Sequence, residues 1–112
     1  MDSQRLRSIL LVETCMRLAE SAGRPIAVLH RGDADAGSVF IKVYSRGGLA
    51  SLFGQSLSDD GQLIWRNVLS EDYRTEAAAD ERIANEIRID RDIWVIEVLD
   101  DSLRNPLTPE DH

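Results

Sequence analysis

The sequence predicts an α+β domain: a single, mostly antiparallel sheet of about five strands with two helices packed on one face, in the order α-β-β-β-β-α-β. Three observations predict it. Residues 5–22 carry apolar side chains at helical spacing. Four short runs rich in β-branched and aromatic residues follow, separated by polar or glycine-bearing loops. A second helical stretch then leads into residues 93–99, apolar on both faces apart from Glu97.

In the first helix, at about 100° per residue, Ile9, Leu11, Val12, Cys15, Met16, Leu18, Ala19 and Ala22 fill one half. Arg7, Glu13, Thr14, Arg17, Glu20 and Ser21 fill the other. Leu6 and Leu10 fall on the polar side, where a fraying helix start or a second subunit would account for them. Asp2 or Ser3 is placed to cap the start, and Gly23 followed by Pro25 to stop the end. Residues 26–30 and 39–44 are the first two strands. In the second, Val39, Ile41 and Val43 share one face, and Phe40, Lys42 and Tyr44 the other. Gly47 and Gly48 allow a tight turn into a third strand, residues 49–53. A polar loop over residues 54–62 precedes the fourth, residues 63–69. Short connections make these four an antiparallel meander.

Thr75 is placed to cap the second helix. Ala77, Ala79, Ile83, Ala84 and Ile87 line one side of it, yet Glu76 and Asp80 fall on that same side. A carboxylate there needs a partner or an exit to water. Residues 93–99 have the pattern of a central strand, inserted in or beside the meander. The face bearing Phe40, Tyr44 and Trp65 or Trp94 is then only partly covered, and a homodimer would cover it. Residues 1–100 form the single expected domain. Residues 101–112, acidic and proline-containing, form a tail.

Composition narrows the function. The 112 residues suit one domain, and 43% hydrophobic with 29% charged residues is ordinary for a globular chain. A net charge of −7 disfavours nucleic acid or an anionic membrane as the main partner, because phosphate binding needs a basic surface. One cysteine allows no internal disulfide. No apolar run approaches the roughly 18 residues of a membrane span, and the first residues do not have a signal-peptide pattern. The expected location is the cytoplasm.

The first candidate site is the loop over residues 31–38, with Arg31, Gly32, Asp33, Asp35, Gly37 and Ser38. One reading is an anion site: backbone amides freed by the glycines form a nest, with Arg31 and Lys42 nearby. The other, which we favour, is a shaped hairpin loop whose aspartates bond their own backbone. Sharper readings fail. A calcium loop would need a ligand at Gly37 and a glutamate at Tyr44. A phosphate-binding P-loop would need a Gly-Lys-Ser or Gly-Lys-Thr end. Arg31-Gly32-Asp33 spells an adhesion tripeptide of a kind that occurs by chance.

The second candidate is a set of charges, Asp80, Arg82 and Glu97. An acid–base pair or metal site is one reading. An ion pair with Arg31, Arg66 or Arg82 is the favoured one, and we expect Arg31 to reach Asp80 or Glu97. Cys15 and His30 make a weak nucleophile and base: the cysteine lies on the packed half of its helix, and no third group orients the histidine. Trp65 and Trp94 suit a core or interface better than a stacking platform.

Residues 31–39, followed by a strand with Lys42, and residues 90–97 together with the opening helix resemble the DUF1491 family of small bacterial proteins, found mainly in alphaproteobacteria. Similar chains carry a Gly-Asp-Ala-Asp-Ala-Gly-like loop and an Asp-Pro-Asp-Leu-Trp-like approach to the last strand. Here Arg91 stands at the proline's place, so the turn is less rigid. The resemblance covers the chain to about Asp100 and supplies a class without a chemistry. The expected function is a non-catalytic binding or interaction module, a homodimer or the partner of another protein, using the 31–38 loop and adjacent sheet. The alternative is a binder or enzyme taking a phosphate- or carboxylate-bearing ligand at that loop. Neither a metal nor a cofactor is expected.

Overall fold

The computed structural model describes residues 7–107. The expected caps Asp2 and Ser3, and Leu6, lie outside that range. Helix α1 (Ser8–Ser21) is followed by β1 (Ile26–His30), β2 (Val39–Tyr44), β3 (Ala50–Leu57) and β4 (Leu63–Asn67). A one-turn 3-10 helix (Glu71–Tyr73), helix α2 (Glu76–Ile89) and strand β5 (Trp94–Leu99) complete the chain. The α+β class and the element order are as the sequence predicts.

Helix ends obey local chemistry. Gly23 takes φ 74°, which a glycine adopts without strain. The amides of Gly23 and Arg24 then donate to the carbonyls of Glu20 and Ala19, at 3.0 and 2.8 Å, closing α1 in a Schellman motif. Thr75 Oγ1 accepts from the amide of Ala78 at 3.1 Å and caps α2.

The sheet order is β1-β5-β2-β3-β4. Only β2, β3 and β4 form a meander. β5 enters between β1 and β2, antiparallel to the first and parallel to the second. The expected four-strand meander and 31–38 hairpin are therefore corrected: the loop crosses over the start of β5. Burial explains the slot. Trp94, Val95, Ile96 and Val98 are all buried, so β5 needs a strand on each side and cover on both faces. In β1 only alternate residues are part-buried and Ala27 and Leu29 are exposed, which suits an edge.

The helices lie on opposite faces, not on one. Val39, Ile41, Val43, Trp94, Ile96 and Val98 pack on Leu11, Val12, Cys15 and Ala19 of α1. Ala50, Leu52 and Val95 pack on Ala79 and Ile83 of α2, with Phe40 and Tyr44 alongside. β2 and β5 are apolar on both faces, and each face takes a helix. The Phe40–Tyr44 face is thus covered by α2, while Trp65 and Trp94 point to the α1 side.

Two boundaries also move. β3 runs through Gly54 to Leu57, where a loop was expected. A Cβ on Gly54 would lie 3.2 Å from the Phe40 ring and 3.3 Å from Val68, so this glycine makes room within the sheet. Leu103 and Leu107 pack against the α1-side core, so packing continues past residue 100 into the expected tail.

Candidate functional site

The 31–38 loop is built from its own backbone outward. The Asp33 amide donates to the Asp92 carbonyl at 2.9 Å. Asp33 Oδ2 accepts the amides of Asp35 and Ala36 at 3.1 and 2.7 Å, and the Asp33 carbonyl accepts that of Gly37 at 3.2 Å. This is the side-chain-to-backbone bonding that aspartate offers a turn. The glycines serve another end than the one expected. Neither Gly32 nor Gly37 takes a positive φ. A Cβ would fall 2.2 Å from the Asp92 carbonyl oxygen at Gly32 and 2.0 Å from it at Gly37. Both are glycine because the loop lies directly on the backbone that opens β5.

Neighbouring elements tie the loop down. Trp94 Nε1 donates to the Asp33 carbonyl at 2.7 Å, and the Trp94 amide to that of Ser38 at 2.7 Å. From α1, the Ile9 amide donates to the Ala34 carbonyl at 2.9 Å, and the Ser8 hydroxyl to that of Gly37. Arg7 and Asp35 form an exposed ion pair at 3.3 Å. Arg31 stacks over the Trp94 ring, 5.1 Å from its centroid. The amides of Asp33, Asp35, Ala36 and Gly37 all have internal acceptors, so they are not turned outward as an anion nest would require.

The expected link from Arg31 to Asp80 or Glu97 is corrected: among the described residues neither acid pairs with Arg31. Lys42 takes both. Its Nζ lies 2.8 Å from Asp80, 3.1 Å from Glu97 and 3.4 Å from Glu76. The side chain is 2% exposed, while the three acids reach outward to water. Burial disfavours its charge, but the hydrogen bonds to Asp80 and Glu97 outweigh that, and the pKa is raised above the ordinary lysine value. The third charge, Arg82, stands apart: it pairs with Glu86 at 2.7 Å and donates to the Val68 carbonyl at 3.1 Å. The sequence signal for Lys42 was its place on a buried face of β2. A lysine between Phe40 and Tyr44 needs carboxylates, and two acids on apolar faces needed a cation.

Cys15 is fully buried, and burial pushes its thiol up to about 12, so no thiolate forms near neutral pH. His30 Nδ1 lies 2.8 Å from the Ile93 carbonyl. Among the described residues no three His, Cys, Asp or Glu side chains are grouped to hold a metal ion, and no helix is long and apolar enough to cross a membrane.

At the same end of the sheet as the loop, β3 ends and β4 begins. Leu57 and Leu63 stand directly opposite one another there, 61% and 46% exposed. Trp65, two residue pairs further in, is only part-buried. Nothing in the patterning of residues 54–62, taken as a loop, pointed to this pair.

Comparison with known proteins agrees with the fold. A crystal structure of a DUF1491 family protein from Caulobacter crescentus is 35% identical, covering 93% of this chain and 96% of that one, with a TM-score of 0.85. An NMR structure of a DUF1491 family protein from the same organism is 35% identical over 92% and 93%, with a TM-score of 0.81. The solution structure of protein Atu0922 from A. tumefaciens is 25% identical over 96% and 97%, with a TM-score of 0.78. Among curated proteins nothing matches. The family model for a protein of unknown function, DUF1491, matches residues 6–108, and the chain belongs to that family.

Proposed function

We propose that this chain is a non-catalytic interaction module that works as a homodimer through the loop end of its sheet. The observation that carries the reading is the exposed Leu57–Leu63 pair beside the part-buried Trp65. Apolar side chains paired in water at one spot gain by being covered. The neighbouring loop is rigidly tied, and in this reading Arg31, Gly32, Asp33, Asp35, Gly37 and Ser38 shape the contact end without transferring a group. Lys42, Asp80 and Glu97 fasten α2 to the sheet and support that end from behind. The ligand-binding alternative has less support, because the loop amides it needs are already bonded.

Size-exclusion chromatography with light scattering tests this. The chain is expected to run as a dimer, and Leu57→Lys with Leu63→Lys to run as a folded monomer. A wild-type chain that stays monomeric at the highest concentration it tolerates would overturn the reading.

A further inference from the structure

The hydrogen-bond phase of β4 carries a more specific statement. The Ser58 amide donates to the Gln62 carbonyl at 2.9 Å, and the Val68 amide to the Leu52 carbonyl at 2.8 Å. Between these bonded pairs the β3–β4 register runs without a slip. Bonded and non-bonded pairs alternate in an antiparallel ladder. Gln62, Ile64 and Arg66 therefore turn their N–H and C=O groups toward β3, as Val68 does its N–H, while the Val68 carbonyl takes Arg82 and the Leu52 amide takes the Asn67 side chain. Leu63, Trp65 and Asn67 turn theirs away, to the open edge. Among the described residues β4 has β3 as its one ladder neighbour.

The other edge differs. β1 slips register between Val28 and His30, where a bulge interrupts the strand, and bulges blunt an edge against pairing. β4 has no bulge and no proline.

We infer that two copies of this chain join by antiparallel pairing of β4 with β4, centred on Trp65, into one continuous ten-stranded sheet. This rests on the homodimer reading above and names its geometry. A two-fold contact requires that residue i meets j while j meets i. Centring on Trp65 sets Leu63 against Asn67 of the second copy, and Trp65 against its own counterpart. All three outward residues then fall in bonded pairs, and every outward N–H and C=O finds a partner. Centring one residue earlier would leave Asn67 opposite Gly61, in the turn, and lose part of the ladder. The centred register also keeps like charges apart. It puts the strand's single charge, Arg66, opposite Ile64 of the second copy, so no two guanidinium groups face each other. Trp65 and Leu63 lie on the α1 side, so the pairing draws the Leu57–Leu63 patch of each copy toward the junction.

Amide hydrogen exchange by NMR, with mass by light scattering on the same samples, tests the geometry. Expected is a dimer in which Ile64 and Arg66 amides are protected at every concentration. The amides of Leu63, Trp65 and Asn67 gain protection only as the dimer forms. Leu63→Pro removes an outward donor and no bond to β3. It is expected to lose the dimer while Ile64 and Arg66 stay protected, which shows that the sheet is intact. Should that variant not fold, the wild-type exchange pattern decides alone. A dimer in which Leu63, Trp65 and Asn67 exchange freely overturns the pairing and leaves the homodimer reading standing. Protection of those amides at monomer mass would mean that the edge is closed within a single copy, and also overturns it. A monomer with all three exchanging freely overturns both.

Discussion

Replacing Lys42 by methionine tests whether one buried ammonium fastens α2. Methionine keeps most of the stem and removes the charge. Three carboxylates then face one another without a cation: Glu76, Asp80 and Glu97, with side chains 38%, 59% and 24% exposed. Removing one partner of a buried ion pair costs roughly 3–5 kcal/mol. Here the survivors reach water, which relieves part of their repulsion, so about 2–3 kcal/mol is expected. For a chain of this size that is a fall in Tm of about 10 °C. The lysine's pKa is raised on folding, so its contribution is full below the unfolded value near ~10.4 and fades only as pH rises through the higher folded value. The deficit of Lys42→Met should therefore be constant from pH 7 to pH 9. Adding Asp80→Asn and Glu97→Gln should restore part of it, because the repulsion goes with the charges. Thermal and urea unfolding read both effects. A Lys42→Met protein melting within about 2 °C of wild type would refute the reasoning.

Three further outcomes follow from the same geometry. Gly37→Ala puts a Cβ 2.0 Å from the Asp92 carbonyl oxygen and 3.0 Å from the Asp33 backbone, so the loop must lift off β5; a loss of about 3 kcal/mol in urea unfolding is expected, against no change if the loop is pliant. Asp100 is shielded from water, which alone would raise its pKa, but the Ser102 amide, Arg24 and Arg104 together hold its carboxyl below the ordinary value; its stabilisation is present above the unfolded pKa near ~3.9 and lost as pH falls through the folded one, so Asp100→Asn should flatten the acid limb of a stability–pH profile. The Cys15 thiol, pushed up to about 12 by burial, should resist alkylation in the native protein and react once urea unfolds it.

Local signals were legible wherever the chemistry is local. Gly23 with Pro25 marks the end of α1, Thr75 the start of α2, and the two-faced apolar run the central strand. The order of strands was not legible, because the 31–38 loop has the length and residues of a hairpin. Nothing within it states that another strand passes beneath. The constraint lies in Asp92, whose carbonyl excludes a Cβ at both Gly32 and Gly37. Lys42 reads as a neighbour of the loop because it lies close to it in sequence, and Arg31, Arg66 and Arg82 read as the candidates for the paired cation. The alternation of β2 placed it instead on the buried face toward α2, where Asp80 and Glu97 arrive from elements distant in sequence. Gly54 looked like the end of a strand because a glycine that yields space to a ring resembles one that makes a turn. The open edge of β4 depends on hydrogen-bond phase, which composition does not record.

Sedimentation equilibrium on the intact chain measures the self-association most directly. Two copies joined at the β4 end of the sheet give a mass of twice 12.6 kDa that falls with dilution and with Leu57→Lys and Leu63→Lys together. A mass of 12.6 kDa at every concentration would contradict the proposed function.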